Sequence, residues 1–436
     1  MLKRLSGEAA WIFSGQVAAV VLQLLILRLL TIILTIQDYG LLSLLLVAAT
    51  LIERTFMVVQ AGVGRYYLEA VKENKLNQYW IASFQLLARS SIISLCVGIG
   101  ILTIIPIFLP FHHYLPATFV LVSAIVTGWN TAFSGIHLSA RNRSMHASFQ
   151  IIEFASRFLF ILALVKLVTP SLLTVTFGYF LSAIFLFVVQ YRFILKLLGE
   201  SAKAVPHFSF GRFSGEVARW RHSIWNYSSP FIAWGGFSWM QQSSDRFALE
   251  TFLGSRAVGL YSIIFQLGYT PMIIFGTMAN NFIQPILFAR VLSPKSSDRG
   301  AGRNLTRISF GSSGVIFVIS LLFAYLASSY HYIIMSLFVA EDFRTYSSLL
   351  PYIVLAGGIF AATNPLSSRL MAMKNTKQIF SINSLFSLLS ISLNLLGAYF
   401  YGIPGVVKAL LISSCLYWLF FFMSFLMSTN QTLVDS

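Results

Sequence analysis

Five arginines stand inside long apolar runs: Arg28, Arg54, Arg89, Arg157 and Arg246. Only three acids share such runs, Glu53, Glu153 and Asp245. A charge at the centre of a bilayer costs roughly 2.5–3.5 kcal/mol even on the mildest insertion scale, so such a side chain faces a cavity, a partner or an interface. Guanidinium offers two parallel donors that match the edge of a phosphate. An excess of arginine over acid inside hydrocarbon therefore suits an anion, phosphate most of all. The densest polar stretch is "WMQQSSDRFALE", residues 239–250, set between "SPFIAWGGFSW" and "VGLYSIIFQLGYTPMIIF". Gln241, Gln242 and Ser244 are expected to line the same cavity as Asp245 and Arg246, on a helix side hidden from lipid.

Spacing sorts these charges. Glu153 and Arg157 are four apart, on one helix face, where they can pair; a structural role is as good a reading as a functional one. Glu53–Arg54 and Asp245–Arg246 are sequence neighbours, which point in different directions from a helix. Each is expected to find its partner on another helix, in water or in a ligand. Arg28 and Arg89 have no acid within one helical turn. The acids Glu53, Glu153 and Asp245 are candidates for ion coupling or for structural pairing. Arg28 and Arg246 lie toward the outer ends of their runs, so snorkelling to the interface competes with a binding role.

The elements that must carry these residues follow from composition. The chain has 436 residues, 57% hydrophobic and 10% charged, with mean hydropathy +0.78. Soluble domains carry about 25% charged residues. Apolar runs of about 20 residues fit membrane-crossing helices, and the short alternating segments of a membrane barrel are missing. Twelve spans can be drawn, near 10–34, 40–61, 80–105, 116–139, 148–167, 172–193, 225–249, 258–288, 309–329, 347–368, 378–400 and 405–427. The first is read as a retained helix rather than a cleaved leader, being too long for a signal core.

Charge sets the orientation. Connections on the side of Lys3 and Arg4 hold 21 of the 30 basic residues, whereas the other side has only Lys166, Arg256, Arg344 and Lys408. Both termini are therefore expected to be cytoplasmic. The net charge of +16 is explained by these loops, so no nucleic-acid partner is implied. Cys96 and Cys415 lie in separate apolar runs with no metal spacing. There is no GxxxxGK, HExxH or GxSxG, hence no nucleotide site, metal or cofactor is implied and an enzyme is not expected. Glu341 and Asp342, in an external loop, are the weak case for a membrane-embedded glycosyltransferase or polymerase.

One long polar connection, 194–224, divides the chain into 1–193 and 225–436, each with six spans. The halves share a weak repeat. "LRLLTIILTIQDYGLLSL" places Arg28 twelve residues before Gly40, and "DRFALETFLGSRAVGLYSI" places Arg246 thirteen before Gly259. "HLSARNRSMHASFQ" and "RLMAMKNTKQIFSI" match in shape after spans four and ten. An even number of spans per half makes the repeat parallel, about an axis along the membrane normal. The fold class expected is an all-α polytopic membrane protein of about 12 helices in two parallel six-helix repeats.

Those stretches, with "LFVAEDFRTYSSLLPYIVLAGGIF" and "LMAMKNTKQ", resemble the polysaccharide flippases of the multidrug/oligosaccharidyl-lipid/polysaccharide exporter superfamily. The resemblance runs along nearly the whole chain, although "QDYG" matches the usual Pro-containing turn only in part. It implies two six-helix bundles around a basic central cavity, and alternating-access transport of an O-antigen or other surface-polysaccharide unit. The implied cargo is an oligosaccharide on polyprenyl pyrophosphate, moved to the outer leaflet of the bacterial inner membrane. Membrane lipid and other polysaccharide-assembly membrane proteins are the implied partners. The family's basic residues in spans one and seven carry over to Arg28 and Arg246. The alternative within the superfamily is a multidrug or small-molecule antiporter, whose acidic cavities fit this set of charges less well.

Overall fold

The computed structural model describes residues 2–108, 113–140, 142–198, 215–291, 299–373 and 376–434. Arg141, Lys203, Arg212, Lys295 and Lys374, which entered the reading of the loops, lie outside them. Thirteen α-helices and two short 3-10 turns make up the described chain, with no strand among the described residues. Ten helical stretches are long and apolar enough to cross a membrane by length and composition. One of them belongs to a 59-residue helix kinked in the middle, which supplies two crossings, and the polar stretch at 239–250 keeps its own helix out of the ten. All twelve expected spans thus have a helix.

The chain forms two compact units: Met1–Asp38 with Leu42–Gly236, and Tyr39–Leu41 with Phe237–Ser436. The boundary falls inside a helix, between Gly236 and Phe237, so residues 225–236 of the expected second half fall in the first unit.

The first unit holds α1 (Leu2–Ile33), α2 (Ile36–Lys72), α3 (Leu76–Phe108), α4 (Tyr114–Ser139), α5 (Arg143–Leu167), α6 (Leu172–Leu198) and α7 (Gly215–Ser228). Thr35 caps α2: its hydroxyl accepts from the Asp38 N–H at 3.1 Å and donates to the Asp38 carboxylate at 2.7 Å. That reciprocal cap makes the tight turn out of "TIQDYG" without a proline. α2 continues well past the expected end at 61, to Lys72. Its last turns carry Tyr66 and Tyr67, which join Tyr79, Trp80, Phe84, Phe133 and Trp220 in an aromatic core.

α7 starts ten residues earlier than the span expected at 225. Val217, Trp220 and Ile224 are buried against α3, while Glu216 and Arg219 pair with Lys75 and Glu73. An apolar stripe on an otherwise polar segment is the signature of a docked amphipathic helix. The hydropathy of the segment hides it.

The second unit holds α8 (Pro230–Leu253), α9 (Ser255–Val291), α10 (Arg299–Phe338), α11 (Leu350–Ala362), α12 (Asn364–Ala372) and α13 (Thr376–Val434). Pro230 opens α8, where its missing N–H costs nothing. α13 reverses at Gly402, whose φ of 62° suits glycine alone among common residues. Beyond that turn Gly397 and Gly405 face each other so closely that a side chain on Gly397 would meet the Gly405 carbonyl at 2.6 Å. Between α10 and α11 lie Glu341–Phe343 and Ser347–Leu349, and Arg344 donates to the Val339 carbonyl at 3.0 and 3.1 Å, closing α10. Glu341 and Asp342 are exposed in this short turn.

Candidate functional site

In the second unit, α8 turns its polar face into protein. Asp245 is 2% exposed and Arg246 8%. The Arg246 Nη1 lies 3.2 Å from Asp245 Oδ1, and the Asp245 Oδ1 also accepts the Arg246 backbone N–H at 2.7 Å. From α9, the Tyr261 hydroxyl donates to Asp245 Oδ2 at 2.7 Å. The guanidinium lies 4.3 Å over the Phe265 ring and 5.9 Å over Tyr261, a cation–π contact in a desolvated place. Its Nε is buried with no hydrogen-bond partner.

The expectation that each finds partners on another helix holds in Tyr261 and Phe265 of α9, but it is corrected in that Asp245 and Arg246 also pair with each other. Their Cβ directions differ, but the arginine arm is long enough to curl back along its own helix, where Nη1 also reaches the Gln242 carbonyl at 3.4 Å. Snorkelling fails for Arg246 as well, since the side chain is packed inside the unit. Beside the pair, Gln241, Gln242 and Asp245 line a cavity of about 20 Å³ with Phe265, Tyr269 and Ser390, room for a single water. Ser244 does not line it; its hydroxyl accepts from Asn394 Nδ2 at 2.9 Å and fastens α8 to α13. Ser387 of α13 donates to Gln241 Oε1 at 3.4 Å.

In the first unit, Glu153 and Arg157 of α5 pair at 3.0 Å, as their spacing suggests. The Arg157 guanidinium sits 4.7 Å over Tyr179 and 5.4 Å over Phe154, and its Nε is buried without a partner. Glu53 of α2 is within electrostatic range of Glu153, Arg157 and Arg54. Two arginines and two acids are therefore brought together between α2 and α5.

Arg28, half-buried on α1, has a buried Nη1 with no hydrogen-bond partner. Arg89 stands elsewhere, exposed on α3, in a cavity of about 390 Å³ with Arg221 and His222 of α7. The four arginines of this unit do not form one cluster.

Sequence reasoning missed Tyr261, although it had marked Gly259-Leu260-Tyr261-Ser262 as a repeat signature. It also left Arg221 and His222 in a linker, because it did not recognise α7 as a helix. No group of three or more metal-ligating side chains occurs among the described residues.

The sequence matches the family described as polysaccharide biosynthesis protein over residues 6–296. The chain belongs to this family. All eight charged candidates, from Arg28 to Arg246, fall within the matched stretch. No curated protein sequence matches the chain. Among solved structures, the Vibrio cholerae MATE transporter VcmN is similar at TM-score 0.67 and 12% identity, over 98% of each chain. The lipid II flippase MurJ, in an inward closed conformation, gives TM-score 0.68 at 13% identity, over 96% of this chain and 87% of that one. A MOP superfamily transporter from Pyrococcus furiosus gives 0.62 at 13%, over 96% and 95%. At such identities the likeness speaks for fold alone. This polysaccharide biosynthesis family member is a multi-pass membrane protein with the MOP flippase-type transporter fold.

Proposed function

We propose that this protein moves an oligosaccharide carried on polyprenyl pyrophosphate from the cytoplasmic to the outer leaflet of the bacterial inner membrane, by alternating access. One observation carries the reading: buried arginine N–H groups remain without acceptors. Arg28 Nη1, Arg157 Nε and Arg246 Nε have no hydrogen-bond partner among the described residues. A buried unsatisfied donor costs about 1–3 kcal/mol, more when charged, and a phosphate oxygen would relieve it. Arg28, Arg54, Arg89, Arg157 and Arg246 are assigned to the anionic cargo. Gln241 and Gln242 are assigned to its path, on a helix that Ser244 fastens to α13 through Asn394. Transport needs no bond made or broken in the cargo, so no enzymatic role is assigned.

Asp245 and Glu53 are the coupling acids in this reading. A proton or sodium ion on Asp245 would weaken its hold on Arg246 and free the guanidinium for phosphate. The amides Glu53→Gln and Asp245→Asn should then abolish the dependence of transport on an ion gradient while cargo binding stays measurable; gradient-driven transport in both would exclude these acids.

The fold shared with MATE transporters supports a second reading, export of drugs or small molecules. A deletion strain separates the two. Loss of the protein should leave lipid-linked glycan labelled only on the cytoplasmic leaflet. Normal glycan on the outer leaflet together with drug hypersensitivity would favour the exporter.

A further inference from the structure

The cavity between α3 and α7 is chemically unlike the other sites. Arg89 and Ser90 of α3 face Arg221 and His222 of α7 across about 390 Å³, with Ile93 and Trp225 as apolar walls. No acid lines it. Neither Arg89 nor Arg221 has a hydrogen bond or ion pair among the described residues, and His222 bonds only Asn226, at 3.1 Å. The nearest acid on α7, Glu216, is already held by Lys75 at 2.6 Å. The fold thus places two guanidiniums on one cavity without a counter-charge, which repel until an anion comes between them.

Depth and surroundings say which anion. Arg89 lies in the half of α3 nearer its start at Leu76, the end that Lys75 ties to Glu216 of α7 and that the basic loops mark as cytoplasmic. A long arginine arm can carry its charge from there toward the headgroups. Toward the bilayer centre the same side of α3 shows exposed Ile93, Cys96 and Ile99, a strip for an alkyl or prenyl chain. Trp225, 39% exposed, also lines the cavity, and tryptophan is a side chain that anchors at membrane interfaces. Paired guanidiniums above an apolar strip complement a phosphate head with a lipid tail.

We propose that Arg89, Arg221 and His222 form a docking site for the phosphate head of a lipid of the cytoplasmic leaflet, whose chain lies along Ile93 and Ile99. Only the identity of that lipid, a polyprenyl pyrophosphate, rests on the function proposed above. The site then receives the cargo's head before it reaches Arg28 and Arg246.

The test uses full-length protein in zwitterionic phosphatidylcholine nanodiscs, titrated with polyprenyl pyrophosphate, phosphatidylglycerol or inorganic pyrophosphate. Losing charge-assisted hydrogen bonds should weaken polyprenyl pyrophosphate binding at least about tenfold in the double variant Arg89→Gln/Arg221→Gln. The double lysine variant should lose less, and inorganic pyrophosphate should bind far more weakly than the lipid. Equal affinity of the glutamine variant and wild type overturns the site, and free pyrophosphate binding as tightly as the lipid overturns its lipid character. Phosphatidylglycerol binding that depends on both arginines, with no polyprenyl pyrophosphate binding at all, keeps the site and refutes the proposed cargo. If the glutamine variant does not fold, a photoreactive benzoylphenylalanine at position 225 decides: lipid adducts are expected, and their absence overturns the proposal.

Discussion

The Asp245–Arg246 pair makes a sharp energetic prediction. Asp245→Asn leaves a guanidinium 8% exposed, holding only a 3.4 Å contact to the Gln242 carbonyl and the Phe265 ring. Removing one partner of a buried pair costs about 3–5 kcal/mol. Arg246→Gln is milder, because Asp245 keeps the Tyr261 hydroxyl and the backbone N–H, both at 2.7 Å. Tyr261→Phe removes one hydrogen bond to a charged group, about 1.5–3 kcal/mol. The double variant Asp245→Asn/Arg246→Gln leaves no lone charge and should cost less than the two singles summed, by up to about 3 kcal/mol of coupling. Thermal unfolding of the purified proteins in one detergent, followed by tryptophan fluorescence, reads the order. Asp245→Asn should melt lowest, with the double variant above it. Additive losses, with the double variant lowest of all, would mean that each residue is satisfied by separate partners and that the pairing is wrong.

Three further outcomes follow from packing and charge. Gly405→Leu should disrupt folding of the α13 hairpin, since its side chain would meet the Gly397 carbonyl; a normal yield of monodisperse protein would contradict the close crossing. Trp220, 1% exposed on the buried side of α7, should cost about 3–5 kcal/mol as Trp220→Ala and speed hydrogen exchange across 215–228, whereas unchanged exchange would place α7 off the unit. The hydrogen bond from Lys75 holds the Glu216 carboxyl below its usual range. A depressed folded pKa stabilises above the unfolded value and is lost as pH falls through the folded one. Exchange in α7 should therefore rise below about pH 4.5, and Glu216→Gln should remove that dependence; a pH response surviving in Glu216→Gln would assign it to another group.

Much of the fold was legible because hydrocarbon imposes its own grammar. The six spans of the first half read directly from apolar length, and the α13 hairpin read as two spans parted by Gly402. α8 was drawn with the other spans from its apolar flanks, although its polar stretch keeps it out of the ten helices that qualify by length and composition. α7 was not, because Glu216, Arg219 and Arg221 mask a stripe of only Val217, Trp220 and Ile224, and its partners on α3 are remote in sequence. The charged residues were found from their cost in lipid, and Glu153–Arg157 from spacing. The Asp245–Arg246 pair was hidden because helix geometry describes where Cβ points, not where a six-atom arm can return. Which arginines share a cavity depends on tertiary packing, so Arg89 was grouped with Arg28 when its neighbours are Arg221 and His222.

The central claim is that buried arginines hold the pyrophosphate of a lipid-linked cargo. The most direct test is leaflet transfer of a polyprenyl-pyrophosphate oligosaccharide in vesicles containing purified protein, well below the melting temperature of each variant. Wild type should move the cargo across. Arg28→Ala and Arg246→Ala should each slow transfer at least about tenfold at equal protein content, and lysine should restore only part, because it lacks the two-donor fork. Full transfer by both alanine variants would contradict the account.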